Sequence, residues 1–301
     1  MKLGLSSFTY GWAVGVRGHE PSRPLDEQGL LDRCNELDVK LLQIGDNLPL
    51  HTFDTARLSS LADRSAKEGI ELEIGARGLT RERVIQYARI ARSIGARLIR
   101  FVIDDAQLEP TPEAVVGVLC EVLPQLDGLT LGIENHDRFP AATLRSVIDA
   151  VGSPRIGVCL DTANSLGAGE GIASVATMLA PFTVNVHVKD VAVERVPHLM
   201  GFSVHGRPAG EGMLDIPSLL RQVTAFGRCE TAVLELWTPP ESRVEETIAK
   251  EARWAKQSLD YLKPLIASLF PATPPLFGTG ETESRARQEF TPVMDSGKGT
   301  K

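Results

Sequence analysis

The chain has 301 residues, of which 43% are hydrophobic and 24% are charged, a composition typical of a globular protein with a sizeable core. Its net charge of −7, without any run of Lys and Arg, argues against a nucleic-acid partner, because phosphate backbones are bound through clustered basic side chains. No signal peptide, membrane span or C-x-x-C pair is found, so we expect a soluble, cytoplasmic protein that does not bind a membrane.

Short β-rich runs alternate with helix-like segments along the chain. Strands are predicted at residues 2–8, 39–45, 70–76, 97–103, 129–135, 155–161, 183–189 and 232–237. Helices are predicted at residues 25–37, 55–69, 81–95, 112–126, 142–152, 174–180, 216–227 and 244–265. This alternation requires a parallel sheet, and eight units in roughly 250 residues indicate a closed (β/α)₈ barrel, the TIM barrel. An open doubly wound sheet is the alternative, but residues 6–11 lack its glycine-rich turn.

Residues 266–301 differ in composition from the predicted barrel, which covers residues 1–265. They are rich in Pro, Gly, Thr and charged residues and show no sustained period, which is typical of a flexible tail. The alternative is an arm that docks in a homo-oligomer, with Phe270, Leu276 and Phe277 as its anchors.

Ionisable residues stand at the ends of the last four predicted strands, where TIM barrels carry their catalytic groups. They are Glu134, Asp161, His187 and Glu235. Taken singly, such a carboxylate often caps a helix or pairs with a lysine. Three carboxylates at one barrel mouth, however, would repel one another without a cation. One imidazole with three carboxylates suits a divalent metal ion, Mn²⁺ in the first place, with Mg²⁺, Co²⁺ or Zn²⁺ as alternatives.

These residues occur in short phrases whose order along the chain is informative. The phrases are GIENH, CLDTAN, VHVKD and LELW, with GRPAGEG (206–212) between the last two. In this order they resemble the sugar-phosphate isomerase/epimerase superfamily, which has xylose isomerase-like TIM barrels, and the resemblance covers essentially residues 1–265. Members of that superfamily include ketose 3-epimerases, hydroxypyruvate isomerases, inosose dehydratases and endonuclease IV.

The resemblance implies that the four residues are metal ligands and that Glu134 and Glu235 also transfer protons on opposite sides of a sugar-like substrate. A metal ion that chelates a carbonyl and its adjacent hydroxyl makes the C–H bond between them more acidic and stabilises an enediolate. One glutamate removes the proton and the other returns it. We therefore expect a metal-dependent isomerase or epimerase. A dehydratase is the alternative, because the same enolate can expel a β-hydroxyl group.

Further residues are candidates for substrate binding: His136, Asn164, Lys189, Arg207, Gln43 and Trp237. His136 and Lys189 share the inner faces of their strands with predicted ligands, although Lys189 would also balance the charge of Asp190. Gln43 ends the second strand, where many members of the superfamily carry Glu. Trp237 would form an apolar wall of the site, or pack in the core.

Two of these candidates depend on the resemblance alone. Arg207 lies in the long loop predicted after the seventh strand and matches a position that often reaches substrate or phosphate; a surface arginine is the alternative. His198 and His205 in the same loop are expected to face solvent. Asn164 stands where several ketose 3-epimerases carry a histidine, and an amide bears no charge at neutral pH. This difference argues against free-ketose 3-epimerisation.

Two other functional classes share this fold. A nuclease of the endonuclease IV type would need a trinuclear zinc site and many more histidines than the six present. The acidic charge balance also disfavours it. A barrel that binds a sugar-like molecule without turnover is disfavoured because all four ligands and both acid–base candidates are retained.

Overall fold

Eight parallel strands close into a barrel in the computed structural model, which describes residues 1–270. The described residues form ten strands, eight in the barrel and two (β8 and β9) in a separate sheet. In chain order they are Lys2–Ser6 (β1), Leu41–Ile44 (β2), Glu71–Arg77 (β3), Leu98–Val102 (β4), Thr130–Glu134 (β5), Ile156–Asp161 (β6), Thr183–Val188 (β7), Asp190–Arg195 (β8), Phe202–Arg207 (β9) and Thr231–Leu234 (β10). The barrel order is β1 to β7 followed by β10, which closes on β1 in parallel register. The predicted (β/α)₈ barrel is therefore confirmed.

Helices surround the barrel and lie in the connections between consecutive barrel strands and after the last one. They are Gly11–Val14 (α1), Glu27–Glu36 (α2), Thr55–Glu68 (α3), Arg81–Ile94 (α4), Pro112–Val122 (α5), Ala141–Val151 (α6), Ile172–Leu179 (α7), Ile216–Thr224 (α8) and Val244–Leu269 (α9). The side chains of Thr111 and Asp215 accept backbone N–H groups at the starts of α5 and α8, as N-cap residues do. Within residues 1–270, no helix is both long enough and apolar enough to cross a membrane.

The last helix extends beyond the boundary predicted for the barrel. α9 continues to Leu269 and contains Pro264 in its interior. Residues 266–269 of the predicted tail thus belong to this helix. The rest of the predicted tail from residue 271 onward, with Leu276 and Phe277, lies outside the described residues.

The segment after β7, predicted as a long loop, forms a β-hairpin instead. β8 and β9 pair antiparallel from Asp190 opposite Arg207 to Arg195 opposite Phe202. Most side chains toward the tip of the hairpin are exposed. The alternation of apolar and polar residues that predicts a half-buried strand is therefore weak in this part of the sequence. His205 lies on β9, whereas His198 lies in the exposed connection between the two strands.

The hydrophobic core lies between the barrel strands and the helices. Ile99 and Phe101 of β4 and Leu131 and Ile133 of β5 are fully buried there. Because side chains alternate along a strand, the intervening residues point into the barrel. Several of those inward residues are polar and hydrogen-bond across the barrel between strands that are not neighbours.

A buried carboxylate of α9 holds the segment that follows β1. Glu251 accepts hydrogen bonds from the backbone N–H groups of Trp12, at 3.0 Å, and Ala13, at 3.1 Å. The indole of Trp12 donates to the carbonyl of Thr238 at 2.9 Å. Burial raises the pKa of Glu251 to about 8, although the two hydrogen bonds act in the opposite direction. Glu251 therefore links α9 to the first loop at the mouth of the barrel.

Glu251→Gln is expected to change how stability depends on pH. The folded pKa of about 8 exceeds the ordinary value of 4.5, so the folded chain keeps a proton that the unfolded chain has released between these values. The wild type should therefore lose stability as the pH rises through this range, by at most about 1.4 kcal/mol per pH unit. Glutamine has no such proton, so urea denaturation should show a flatter pH dependence for the variant.

The exposed carboxylate of Asp260 on the same helix offers a control, because Asp260→Asn should leave the pH dependence of the wild type unchanged. If wild type and Glu251→Gln lose stability in parallel as the pH rises, Glu251 is ionised in the folded protein throughout this range.

Candidate active site

The four predicted metal ligands converge at the carboxyl end of the barrel. Glu134 ends β5, Asp161 ends β6, His187 lies one residue before the end of β7, and Glu235 follows β10. His187 Nδ1 lies 3.7 Å from Glu134 Oε1, 3.7 Å from Asp161 Oδ2 and 3.3 Å from Glu235 Oε1. None of the four is more than 4% exposed.

His187 Nδ1 is the atom on which the three carboxylates converge. It is buried and makes no hydrogen bond to any described residue. A buried polar atom without a partner is costly, and such an atom calls for an explanation. Asp161, His187 and Glu235 each offer one ligand atom, and these atoms lie within 4.8 Å of one another. The donor set therefore fits a divalent metal ion that accepts nitrogen and oxygen ligands.

Lys189 places a cation beside the same carboxylates. Its Nζ lies 2.5 Å from Asp161 Oδ2, 3.0 Å from Glu235 Oε2 and 3.1 Å from Asn164 Oδ1. It also lies 5.3 Å from the centre of the Trp237 ring. Burial lowers the pKa of Lys189, but the neighbouring carboxylates, first of all Asp161, raise it above its usual range. Lys189 is thus a buried ammonium group within the site.

Arg100 of β4 is a second buried cation, which is not among the site residues predicted from the sequence. Its Nε lies 3.0 Å from Glu134 Oε2, an ion pair outside hydrogen-bond geometry, and its Nη1 donates to Asp46 Oδ1 at 2.7 Å. Burial raises the pKa of Glu134, but Arg100 and then His187 lower it more strongly, to about 2. Glu134 is therefore held as a carboxylate, first of all by the guanidinium of Arg100.

Arg100 fits into the barrel because two adjacent positions are glycine. A Cβ atom on Gly75 would lie 3.2 Å from the guanidinium carbon, and one on Gly45 would lie 3.0 Å from Nη2. The sequence contains one signal for Arg100, an arginine on the inner face of the apolar run RLIRFVI. Its partners come from other strands, so their spacing in sequence does not reveal them.

A cavity of about 340 Å³ opens above the site, a size suited to a small molecule. The predicted site residues that line it are Glu134, His136, Asn164, Lys189, Glu235 and Trp237. Asn164 Nδ2 donates to Glu134 Oε1 at 2.7 Å, while its Oδ1 accepts from Lys189. His136 pairs with Asp137. Arg77 and Arg100 also line the cavity, so its walls carry both signs of charge.

Two predicted substrate-binding residues do not line this cavity. Gln43 points into the barrel beneath the ligands, where it is fully buried and contacts His187 Nε2. It stands on the inner face of β2, and its side chain turns toward His187 and not toward the cavity. Arg207 ends β9, and its guanidinium pairs across the hairpin with Glu194. The structure thus places both side chains away from the space that a substrate would fill.

Comparison with known proteins identifies the family of the chain. The profile of the family described as xylose isomerase-like TIM barrel matches residues 69–265. The chain belongs to this family. It is similar to the 3-oxo-isoapionate decarboxylase of Pectobacterium atrosepticum, with 31% identity over 264 residues, which cover 87% of this chain and 95% of the relative.

Solved structures with the same fold are more distant in sequence. D-psicose 3-epimerase with D-tagatose, from Clostridium cellulolyticum H10, has a TM-score of 0.67 and 15% identity, over 88% of this chain and 99% of the epimerase. A xylose isomerase-like TIM barrel protein from Mycobacterium smegmatis in complex with magnesium has a TM-score of 0.64 and 13% identity, over 86% and 97% of the two chains. Proteins with this fold thus include a decarboxylase relative and an epimerase.

Proposed function

We propose that this chain is a metal-dependent enzyme that decarboxylates a small, sugar-like 3-oxo acid. The observation that carries the proposal is the engagement of Glu134, whose Oε2 lies 3.0 Å from Arg100 and whose Oε1 accepts from Asn164 at 2.7 Å. A carboxylate held in this way is a weak base for removing a proton from carbon. Decarboxylation does not need that step, because cleavage of the C–C bond leaves the electron pair on the substrate.

The similarity to 3-oxo-isoapionate decarboxylase supports the same reaction class. It extends over 95% of that relative at 31% identity. The structural neighbours are below 20% identity and support only the fold. The substrate that we propose shares with the relative's substrate the 3-oxo acid group, which can lose carbon dioxide through an enolate.

Glu134, Asp161, His187 and Glu235 are the residues that would hold one divalent ion, with Mn²⁺ the first expectation and Mg²⁺, Co²⁺ or Zn²⁺ the alternatives. When bound, such an ion supplies Lewis-acid stabilisation of negative charge on a carbonyl oxygen. The unpartnered Nδ1 of His187, facing three carboxylates, supports this assignment.

Lys189 is the residue to which we assign stabilisation and protonation of the enolate. As the bond to the carboxylate breaks, its electron pair moves toward the neighbouring carbonyl, and negative charge develops in the cavity. A buried ammonium fixed by Asp161 and Glu235 is already oriented for such a charge. Lys189 can also give a proton to the carbon that has lost carbon dioxide, whereas the guanidinium of Arg100 does not release one.

The cavity walls fit a substrate with hydroxyl groups and one negative charge. His136 and Asn164 offer hydrogen-bonding groups, and Arg77 is a partly exposed cation on the wall. Trp237 provides an apolar surface beside Lys189. These residues would bind and orient a small polyhydroxy acid.

An isomerase or epimerase is the second candidate, in line with the expectation from the sequence. It is favoured by the position of Glu134 and Glu235, which both line the cavity and approach His187 Nδ1 at 3.7 Å and 3.3 Å. In that reaction one glutamate would remove a proton from carbon and the other would return it. A dehydratase would begin with the same proton removal and end with loss of water.

The test is an NMR assay of the metal-loaded protein in D₂O. The substrates are 3-oxo sugar acids labelled with ¹³C in the carboxyl group, together with unlabelled keto-sugars and inososes. Release of labelled carbon dioxide, with one deuterium left on the product carbon, is the expected result. Deuterium exchange without carbon dioxide would replace the proposal with an isomerase or epimerase, and loss of water would replace it with a dehydratase. Turnover by metal-free protein would contradict the metal dependence.

A further inference from the structure

We infer that Gln43 and Glu73 form a positioning pair beneath the site, and that this pair sets the tautomer of His187. In that tautomer Nε2 carries the hydrogen, and Nδ1 faces the three carboxylates with a free lone pair. The inference rests on the proposed function, because His187 is one of the proposed metal ligands. Gln43 Oε1 lies 2.6 Å from His187 Nε2. A neutral imidazole carries one hydrogen, so the nitrogen without it is the one that can bind a metal ion.

The orientation of the Gln43 amide is set by the two hydrogen bonds that its nitrogen donates. Nε2 donates to Glu73 Oε2 at 3.0 Å and to Asn185 Oδ1 at 3.2 Å. If the amide were flipped, its oxygen would face these two acceptor oxygens deep in the barrel, where such contacts are unfavourable. The amide oxygen therefore faces His187 Nε2.

Glu73 is itself held by groups on the opposite side of the barrel. Thr231 Oγ1 donates to Glu73 Oε1 at 2.8 Å, and Asn185 Nδ2 lies 3.3 Å from Glu73 Oε2. Glu73 comes from β3, whereas Asn185 and Thr231 come from β7 and β10. Protonation of Glu73 on Oε1 would not alter the role of Oε2, which accepts from Gln43 in either form.

The consequence reaches the metal site through His187. Because Gln43 Oε1 can only accept, His187 Nε2 carries the hydrogen. Nδ1 then presents its lone pair to Glu134, Asp161 and Glu235, at 3.3 to 3.7 Å. Hydrogen bonds to the remote nitrogen of a metal-binding histidine commonly set its tautomer and its ring orientation. Gln43 is thus a positioning residue, which does not line the substrate cavity.

The first measurement needs no variant. The full chain, ¹⁵N-labelled and loaded with diamagnetic Zn²⁺, is studied by long-range ¹H–¹⁵N correlation of the His187 ring. The expected spectrum shows the hydrogen on Nε2 and the metal-bound nitrogen at Nδ1. A hydrogen on Nδ1 would overturn the inference.

The second measurement compares zinc affinity in two variants by competition with a chelator. Gln43→Leu keeps a similar volume but removes the acceptor, and its affinity should fall about 10–100-fold. Thr183→Val is the matched control, because it removes a buried hydrogen bond to Leu179, 3.0 Å long, on the strand that carries His187. The control should lower the melting temperature without a change in zinc affinity.

These outcomes separate the inference from the proposed function. If the wild type binds no zinc, the proposed metal site is wrong. If the wild type binds zinc and Gln43→Leu binds it equally well, the inference is wrong and the metal site stands. An equal loss of affinity in Gln43→Leu and Thr183→Val would show that affinity follows stability, which also overturns the inference.

Discussion

Arg100→Met is expected to lower the free energy of unfolding by about 3–5 kcal/mol, because it leaves the carboxylates of Asp46 and Glu134 without their shared cation. Arg100 is only 2% exposed and lies 2.7 Å from Asp46 and 3.0 Å from Glu134. Removing one partner of a buried ion pair strands the other charge in a medium of low dielectric constant. Urea denaturation of the metal-free protein would measure the loss.

Arg64 provides a matched control at the surface. It also bridges two carboxylates, those of Asp32 and Glu68, but on the outside of the helices. Arg64→Met should cost less, about 1 kcal/mol, because the ion pairs of Arg64 are partly exposed to solvent and such pairs contribute little. Adding Asp46→Asn and Glu134→Gln to Arg100→Met should recover part of the stability. Equal losses in the two single variants would show that Arg100 does not balance buried charge.

Lys189→Met is expected to affect metal binding and turnover in opposite directions. Turnover of the substrate found by the NMR screen should fall about 10²–10³-fold, because an oriented cation is lost from the place where negative charge develops. The affinity for Mn²⁺ should rise, because Lys189 Nζ, 2.5 Å from Asp161 and 3.0 Å from Glu235, no longer competes for their oxygens. Calorimetric titration and kcat measure the two effects.

Lys250→Met is the control for Lys189→Met, because it makes the same substitution away from the site. Lys250 pairs with Glu241 at 2.8 Å and lies 5.1 Å from the ring centre of Trp254, and it does not line the cavity. Lys250→Met should change neither metal affinity nor kcat. A lower metal affinity in Lys189→Met would mean that Lys189 supports the ligands and does not compete with the ion.

The barrel could be predicted because its signals are local. Each strand and helix leaves its own period of apolar residues in the sequence, and the alternation of eight units leaves few topologies. Glu134, Asp161, His187 and Glu235 were found in the same way, since strand ends in a TIM barrel meet at one mouth. The convergence of these four residues could therefore be predicted from the sequence alone, whereas their roles are what we propose.

What the sequence did not reveal depends on contacts between distant strands. Arg100 is recognisable as part of the site only when Asp46 and Glu134 are seen beside it. Gln43 stands near a strand end, which predicted contact with substrate, yet its side chain lies below the ligands and turns toward His187. The depth of a side chain in the barrel depends on strand register, which periodicity does not define.

The two glycines beside Arg100 restrict the order in which this site can change during evolution. A methyl group at Gly75 would lie 3.2 Å from the guanidinium and 3.3 Å from the Cα of Gly45, so alanine requires the guanidinium to shift by a few tenths of an ångström. A methyl group at Gly45 would lie 2.7 Å from the Phe8 ring as well as 3.0 Å from Nη2 of Arg100, so both side chains restrict this position. We therefore expect substitutions at Gly45, Gly75 and Arg100 to be epistatic, because a larger residue at either glycine reduces the room for the arginine.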